Sequence, residues 1–189
     1  DVPEGELDLP HLYDTVKALD QVVDVDYYIP GCPPEGPQIW AVLETVIGIV
    51  QNGGDLPPKG TVLGAGTKSC CDECKRVKEE KKITAFKKPW EIPWDPEKCL
   101  LEQGVVCMGP ATRDGCGAKC PAAGMPCRGC YGPPANVRDQ GAKMASAIAG
   151  VIDSDDPEEI QALVDSIPDP IGTFYRFTLP SSTLRRRQP

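Results

Sequence analysis

The chain has 189 residues, 40% of them hydrophobic, enough for one sizeable folded domain or two small ones. Twenty Lys plus Arg against 28 Asp plus Glu leave a net charge of -8, which argues against nucleic acid and for protein or small-ligand partners. No run approaches the roughly 18 consecutive apolar residues of a spanning helix, and no basic segment leads into an apolar one as in a secretion signal, so a soluble, cytoplasmic chain without a membrane span is expected.

Twenty-one prolines and 19 glycines predict much irregular backbone. In chain order, VVDVDYYI (22–29) alternates apolar residues with Asp and ends at Pro30-Gly31, as a strand running into a loop. Residues 37–51 carry Ile39, Val42, Leu43, Val46, Ile47 and Val50 at helical spacing, with Pro37 in the first turn and Asn52-Gly53 as the stop. The charge run KRVKEEKK (75–82) reads as a solvated face. A second helix is expected over 137–151 behind Asn136 as N-cap, with Val137, Met144, Ala147, Ile148 and Val151 on one face. A third opens at Asp156 with Asp-Pro-Glu-Glu and carries Ile160, Leu163, Val164 and Ile167 as its buried stripe. The chain starts at Asp1 rather than at methionine, as a processed product or a piece of a longer polypeptide would.

Nine of the ten cysteines fall between positions 70 and 130. A disulfide framework suits short secreted chains, and the two CxxC loops here would bridge with strain. The spacing instead falls into two quartets, Cys71-x2-Cys74-x24-Cys99-x7-Cys107 and Cys116-x3-Cys120-x6-Cys127-x2-Cys130. Each offers four thiolates. Zinc would accept such sets. An iron-sulfur cube, larger than an ion, needs backbone that curls round it with few bulky side chains, and glycine and proline crowd these cysteines: GCGAKCPAAGMPCRGCYGP spans 115–133.

The stretches DVDYYIPGCPP (24–34), CLLEQGVVCMGPATRDGCGAKCP (99–121), PCRGCYGP (126–133), DQGAKM (139–144) and GTFYRFTLP (172–180) resemble the small subunit of cytoplasmic nickel-iron hydrogenases. The nearest type is the methyl-viologen-reducing, deazaflavin-non-reducing kind coupled to heterodisulfide reductase. The resemblance implies a line of iron-sulfur clusters carrying electrons away from a nickel-iron site on a separate large subunit, with no catalytic residue on this chain. It implies that Cys71, Cys74, Cys99 and Cys107 hold a distal 4Fe-4S cluster and that Cys116, Cys120, Cys127 and Cys130 hold a medial one. Cys120 would be the thiolate that makes the medial centre 4Fe-4S rather than 3Fe-4S. Cys32, in Gly-Cys-Pro-Pro, matches the last ligand of a proximal cluster, whose other ligands would have to come from elsewhere. The blander reading of Cys32 is a small buried thiol in a tight turn.

The implied fold is an α/β remnant, the end of a flavodoxin-like domain, followed by an irregular, mainly helical iron-sulfur cluster domain. The expected divisions are 1–55 for the remnant, 56–134 for the two cluster sites and 135–189 for a helical C-terminal segment and tail. Partners would be the nickel-iron large subunit, a small iron-sulfur subunit and heterodisulfide reductase subunits. The acceptor is expected to dock beside the distal quartet, steered by Lys75, Lys81 and Lys82. Two rivals stay open: an iron-sulfur electron-transfer subunit of a redox complex without hydrogenase activity, and a zinc-binding scaffold. Cys70 could exchange roles with Cys71. His11, the single histidine, is a weak ligand candidate, Trp90 and Trp94 read as packing, and Arg185, Arg186 and Arg187 as a solvated tail.

Overall fold

The computed structural model describes residues 3, 5, 11–12, 14–79 and 82–186. The described part is mixed α/β and mostly irregular, as 40 prolines and glycines require.

Two short strands open it. β1 (Tyr27–Tyr28) and β2 (Thr61–Val62) lie parallel, Tyr27 opposite Thr61 and Tyr28 opposite Val62, with helix α1 (Gly36–Gln51) as the crossover between them. A parallel pair needs such a crossover because no tight turn can reverse the chain twice. The alternating run 22–29 yields only two strand residues, since Leu19–Gln21 coils into a 3-10 turn just before it. α1 starts and stops where its punctuation predicts. Pro37 lies in its first turn, the Gln38 side chain accepts from the Glu35 amide at 3.4 Å, and Asn52 caps the end ahead of Gly53 at φ +66°. Its apolar face is largely uncovered. Val42 is buried, whereas Ile39, Leu43, Ile47 and Val50 face out, Val50 at 60% exposure.

The core lies beyond residue 70, where Ile83, Leu100, Val105, Met108, Met144 and Ile148 are all buried to 3% exposure or less. Helix α2 (Cys70–Glu73) and helix α3 (Lys119–Ala122) are single turns on loop backbone. Helix α4 (Gln140–Ala149) starts three residues later than its apolar pattern suggests. Asp139, not Asn136, is its N-cap: the carboxylate accepts from Ala142 N at 2.8 Å, and a capping acceptor must lie within reach of the third amide of the helix. The same carboxylate accepts from Thr183 N at 2.7 Å and from the Thr183 hydroxyl, so it also ties down the C-terminal segment. Gln140 is buried and donates to Gly129 O at 3.0 Å, and a Cβ on Gly141 would lie 2.2 Å from the Tyr175 ring. DQGAKM is therefore the piece that locks PCRGCYGP to GTFYRFTLP.

Helix α5 (Pro157–Asp165) has the expected Asp156 cap, donated to by Glu158 N at 2.8 Å. Its stripe is not buried as expected. Val164 is 43% exposed and Ile160 and Leu163 are not fully covered; only Ile167, past the helix end, reaches the core. An open groove lined by Ile148, Ile160, Val164 and Phe174 runs between α5 on one side and α4 and helix α6 (Pro170–Phe174) on the other.

The charge run 75–82 is not wholly solvated either. Arg76 is 9% exposed, donating to Pro121 O (2.9 Å), Asp95 O (3.0 Å) and Lys98 O (2.9 Å) while its guanidinium lies 5.3 Å from the Trp94 ring. Three carbonyls and a stacked indole replace the water a buried cation loses. Among the described residues no helix is long and apolar enough to cross a membrane.

Candidate metal centres

Cys71, Cys74, Cys99 and Cys107 line one cavity of about 170 Å³, far more than the roughly 10–15 Å³ that admits a water, and Cys70 lines it with them. Local folding explains how residues so far apart in sequence meet. α2 turns Cys71 and Cys74 inward, and two backbone bonds, Cys99 N to Val77 O and Val77 N to Glu97 O at 2.8 Å each, bring the segment after Cys74 back beside Cys99. Ile83, Leu100, Leu101 and Val151 supply apolar walls. Gly109 supplies closeness: a Cβ there would lie 2.9 Å from Cys71 Sγ and 3.7 Å from Cys107 Sγ. Burial pushes the Cys71 thiol up to about 11, against the nearby Lys78 ammonium, which lowers it and whose Nζ donates to Cys71 O at 2.6 Å. Burial pushes Cys107 up to about 12.

The second quartet gathers on the other side of α2. Cys116, Cys120, Cys127 and Cys130 perturb one another electrostatically, Cys130 being pushed up to about 11 by burial and by the other three. Glu73, at the end of α2, accepts from Gly115 N and Gly117 N at 2.9 Å each and so grips the loop on both sides of Cys116. Cys116 is drawn down to about 6, first by a hydrogen bond from the Cys70 thiol, with the Ala118 and Lys119 amides assisting against burial. Cys127 is drawn down to about 7, again first by Cys70, with Thr112 and the Gly129 amide helping against burial. Amide donors of this kind are what a cluster sulfur accepts from. The two quartets also touch directly, Cys127 N donating to Cys107 Sγ at 3.2 Å.

Among the described residues no group of three His, Cys, Asp or Glu side chains converges as a single metal ion requires. The thiols stand round a space instead. In the first quartet that arrangement, with a glycine where a Cβ would crowd the Cys71 sulfur, has the room and the donor set that an iron-sulfur cube would take.

Cys32 joins neither quartet. It is exposed in the turn after Gly31 and not the buried thiol of the blander reading, because Gln38 holds the turn by its backbone, donating to Pro30 O at 2.9 Å, and leaves the side chain outside. His11 is exposed. Trp94 packs against the core, whereas Trp90 is 78% exposed beside Lys88, over a cleft backed by Met108 and Cys127. Lys75 is exposed, Lys82 pairs with Asp153 at 2.9 Å, and Lys81, Arg187 and the side chains of Arg185 and Arg186 lie outside the described residues. Cys70, Glu73, Arg76 and Thr112 are the site residues that spacing did not single out. Only Cys70 carried a signal, its adjacency to Cys71.

No family model matches the chain. It is 42% identical over 186 residues to a subunit of the F420-non-reducing hydrogenase of Methanothermobacter marburgensis, covering 94% of this chain and 56% of that one. It is 37% identical over 189 residues to the F420-non-reducing hydrogenase iron-sulfur subunit of Archaeoglobus profundus, covering 97% of this chain and 56% of that one. The match to a subunit of the F420-non-reducing hydrogenase of Methanothermus fervidus is 46% over 122 residues and takes in 95% of that protein and 61% of this chain.

This chain belongs to a family of F420-non-reducing hydrogenase subunits. The resemblance read from its motifs is thereby borne out. One of these hydrogenase subunits carries iron-sulfur in its name. The chain spans about half the length of the longer relatives. With 94% and 97% of it aligned to them, the likeness extends well beyond the cysteine-rich segment.

Proposed function

We propose that this chain is the electron-transfer part of a hydrogenase small subunit, relaying electrons from hydrogen oxidation on a nickel-iron large subunit to an iron-sulfur or flavin acceptor that feeds heterodisulfide reductase, in the cytoplasm. Cys71, Cys74, Cys99 and Cys107 hold a distal 4Fe-4S cluster, and Cys116, Cys120, Cys127 and Cys130 a medial one. When bound, such clusters accept and release one electron at a time.

The observation that carries this reading is the distal cavity of about 170 Å³, lined by the quartet Cys71, Cys74, Cys99 and Cys107 together with Cys70, with Gly109 keeping Cys71 Sγ clear of any Cβ. The protein's own contribution is ligation, apolar walls that keep water from the sulfurs, and fixed donors toward them. Lys78 and the buried Arg76, both lining the cavity, supply positive charge toward the four thiolates. The hydrogenase relatives support the hydrogenase context.

The parallel βαβ unit with its uncovered α1 face supports the end of a flavodoxin-like domain in the first part of the chain, and because β2 lies at Thr61–Val62 that part runs past the expected boundary at 55, ahead of a cluster domain to 134 and a helical segment over 135–189. Cys32 then serves as the single proximal ligand of this chain, completed by cysteines outside it.

Iron, acid-labile sulfide and nickel analysis of the complex purified through this subunit tests the proposal. Iron and sulfide near the content of two cubes per chain, with a nickel-bearing partner, is the expected result. Zinc without sulfide overturns the cluster reading, and clusters with a nickel-free partner overturn the hydrogenase reading.

A further inference from the structure

Cys70 belongs to neither quartet, although it lines the distal cavity beside Cys71, and it is the least exposed of the ten cysteines at 1%. Its Sγ stands 4.0 Å from Cys116 Sγ. Two thiolates bound to different irons of one cube stand farther apart than this. The separation suits a sulfur–sulfur hydrogen bond, a weak one for which a thiol is the donor and a thiolate the acceptor.

The direction of that bond follows from the surroundings. Cys70 opens α2 within the apolar core. As an iron ligand Cys116 is a thiolate with no proton to give, so Cys70 is the donor across the contact. The position is braced at the backbone. Cys70 N donates to Thr112 O at 2.7 Å, and Ser69, the preceding cap, bonds Asp72 Oδ2 through both its amide (3.1 Å) and its hydroxyl (2.7 Å).

We propose that Cys70 is a positioning residue that ligates no iron: its S–H donates to the Cys116 sulfur and raises the reduction potential of the medial centre. A donor draws charge from a cluster sulfur, which favours the reduced and more negative state. The proposal rests on the medial quartet being a cluster site, as put forward above, and makes the medial centre easier to reduce with the donor in place than without it.

The test uses the full-length protein in its assembled complex, with Cys70→Ala and Cys70→Ser, and Cys70→Val in place of Ala should the smaller side chain fail to fold. Iron and acid-labile sulfide are measured first, and the medial midpoint is then followed by redox titration with electron paramagnetic resonance. Unchanged iron and sulfide in all variants, a medial midpoint moved to lower potential in Ala or Val, and a return toward wild type in Ser, whose O–H still donates, are expected. The distal midpoint should move less. Loss of iron from the Ala or Val variant overturns the proposal by making Cys70 a ligand. A medial midpoint unmoved with both clusters intact overturns the donor role while leaving the cluster reading standing. A wild-type protein without sulfide brings down that reading and this proposal together.

Discussion

The Tyr131 hydroxyl donates to Gln38 Oε1 at 2.9 Å, and Gln38 Nε2 donates in turn to Pro30 O (2.9 Å) and Gly64 O (3.0 Å). Tyr131 follows Cys130, and Pro30 precedes the Gly31-Cys32 turn, so one glutamine fastens the Cys32 loop to the second quartet. An ion pair between Lys119 and Glu35 clamps the same two pieces. Tyr131→Phe removes the donor and should cost about 1 kcal/mol, the net worth of one part-buried hydrogen bond. Gln38→Leu should cost more, since it frees two carbonyls besides. A double-mutant cycle by denaturant unfolding checks the link: additive losses would mean that the two side chains do not hold the loop together.

Gly109→Ala places a methyl 2.9 Å from Cys71 Sγ and 3.7 Å from Cys107 Sγ. Cys71 Sγ must then shift, and the distal quartet should lose its cluster while the medial one keeps its own. Iron and sulfide per chain should fall toward one cube. Full content with an unaltered spectrum would refute the role given to this glycine.

Cys120→Ser tests the medial set at its most exposed thiol. One iron should loosen, and the medial centre should take on a 3Fe-4S signal in electron paramagnetic resonance. An unchanged spectrum would remove Cys120 from the ligands.

Asp139 sets a pH dependence. Burial raises its carboxyl, but bonds from Ala142, Thr183 and Tyr175 outweigh burial and hold it below the ordinary carboxylate range. A carboxyl lower in the folded state than the ordinary ~3.9 stabilises fully above that value and loses its contribution as pH falls through the folded pKa. Asp139→Ala should therefore cost about 1 kcal/mol near neutral pH. The gap from wild type should close in acid. Unfolding curves that stay parallel down to pH ~2, below both pKa values, would show that the charge is not what matters.

Of the two quartets read from spacing, Cys71, Cys74, Cys99 and Cys107 do share a cavity, since loops of such lengths can close, but Cys70 shares it with them. The helix 36–51 was legible for a related reason, being bounded by Pro37 and Asn52 and long enough for its period to show. What escaped was direction. Neighbours on a one-turn helix point apart, so nothing in Cys70-Cys71 tells which thiol meets which quartet. Arg76 looked like part of a solvated run because the carbonyls that bury it belong to Asp95, Lys98 and Pro121, distant in sequence. Asn136 and Asp139 are both good caps, and the choice fell to Thr183, far down the chain.

The βαβ unit has two strand residues on each side and an α1 whose outer row, Ile39, Leu43, Ile47 and Val50, meets solvent. Two-stranded pairs are marginal by themselves, whereas the cysteine-bearing half has Met144, Leu100 and Ile83 fully enclosed. Stability within this chain is thus graded along its length. Amides of residues 27–62 should exchange with deuterium through frequent local opening, and those around 100–112 and 140–149 only through rarer, larger opening. Where a cover is bound over α1, the slow zone should spread back toward Tyr27, and the rate of exchange at Tyr28 and Val62 becomes a gauge of whether that cover is in place.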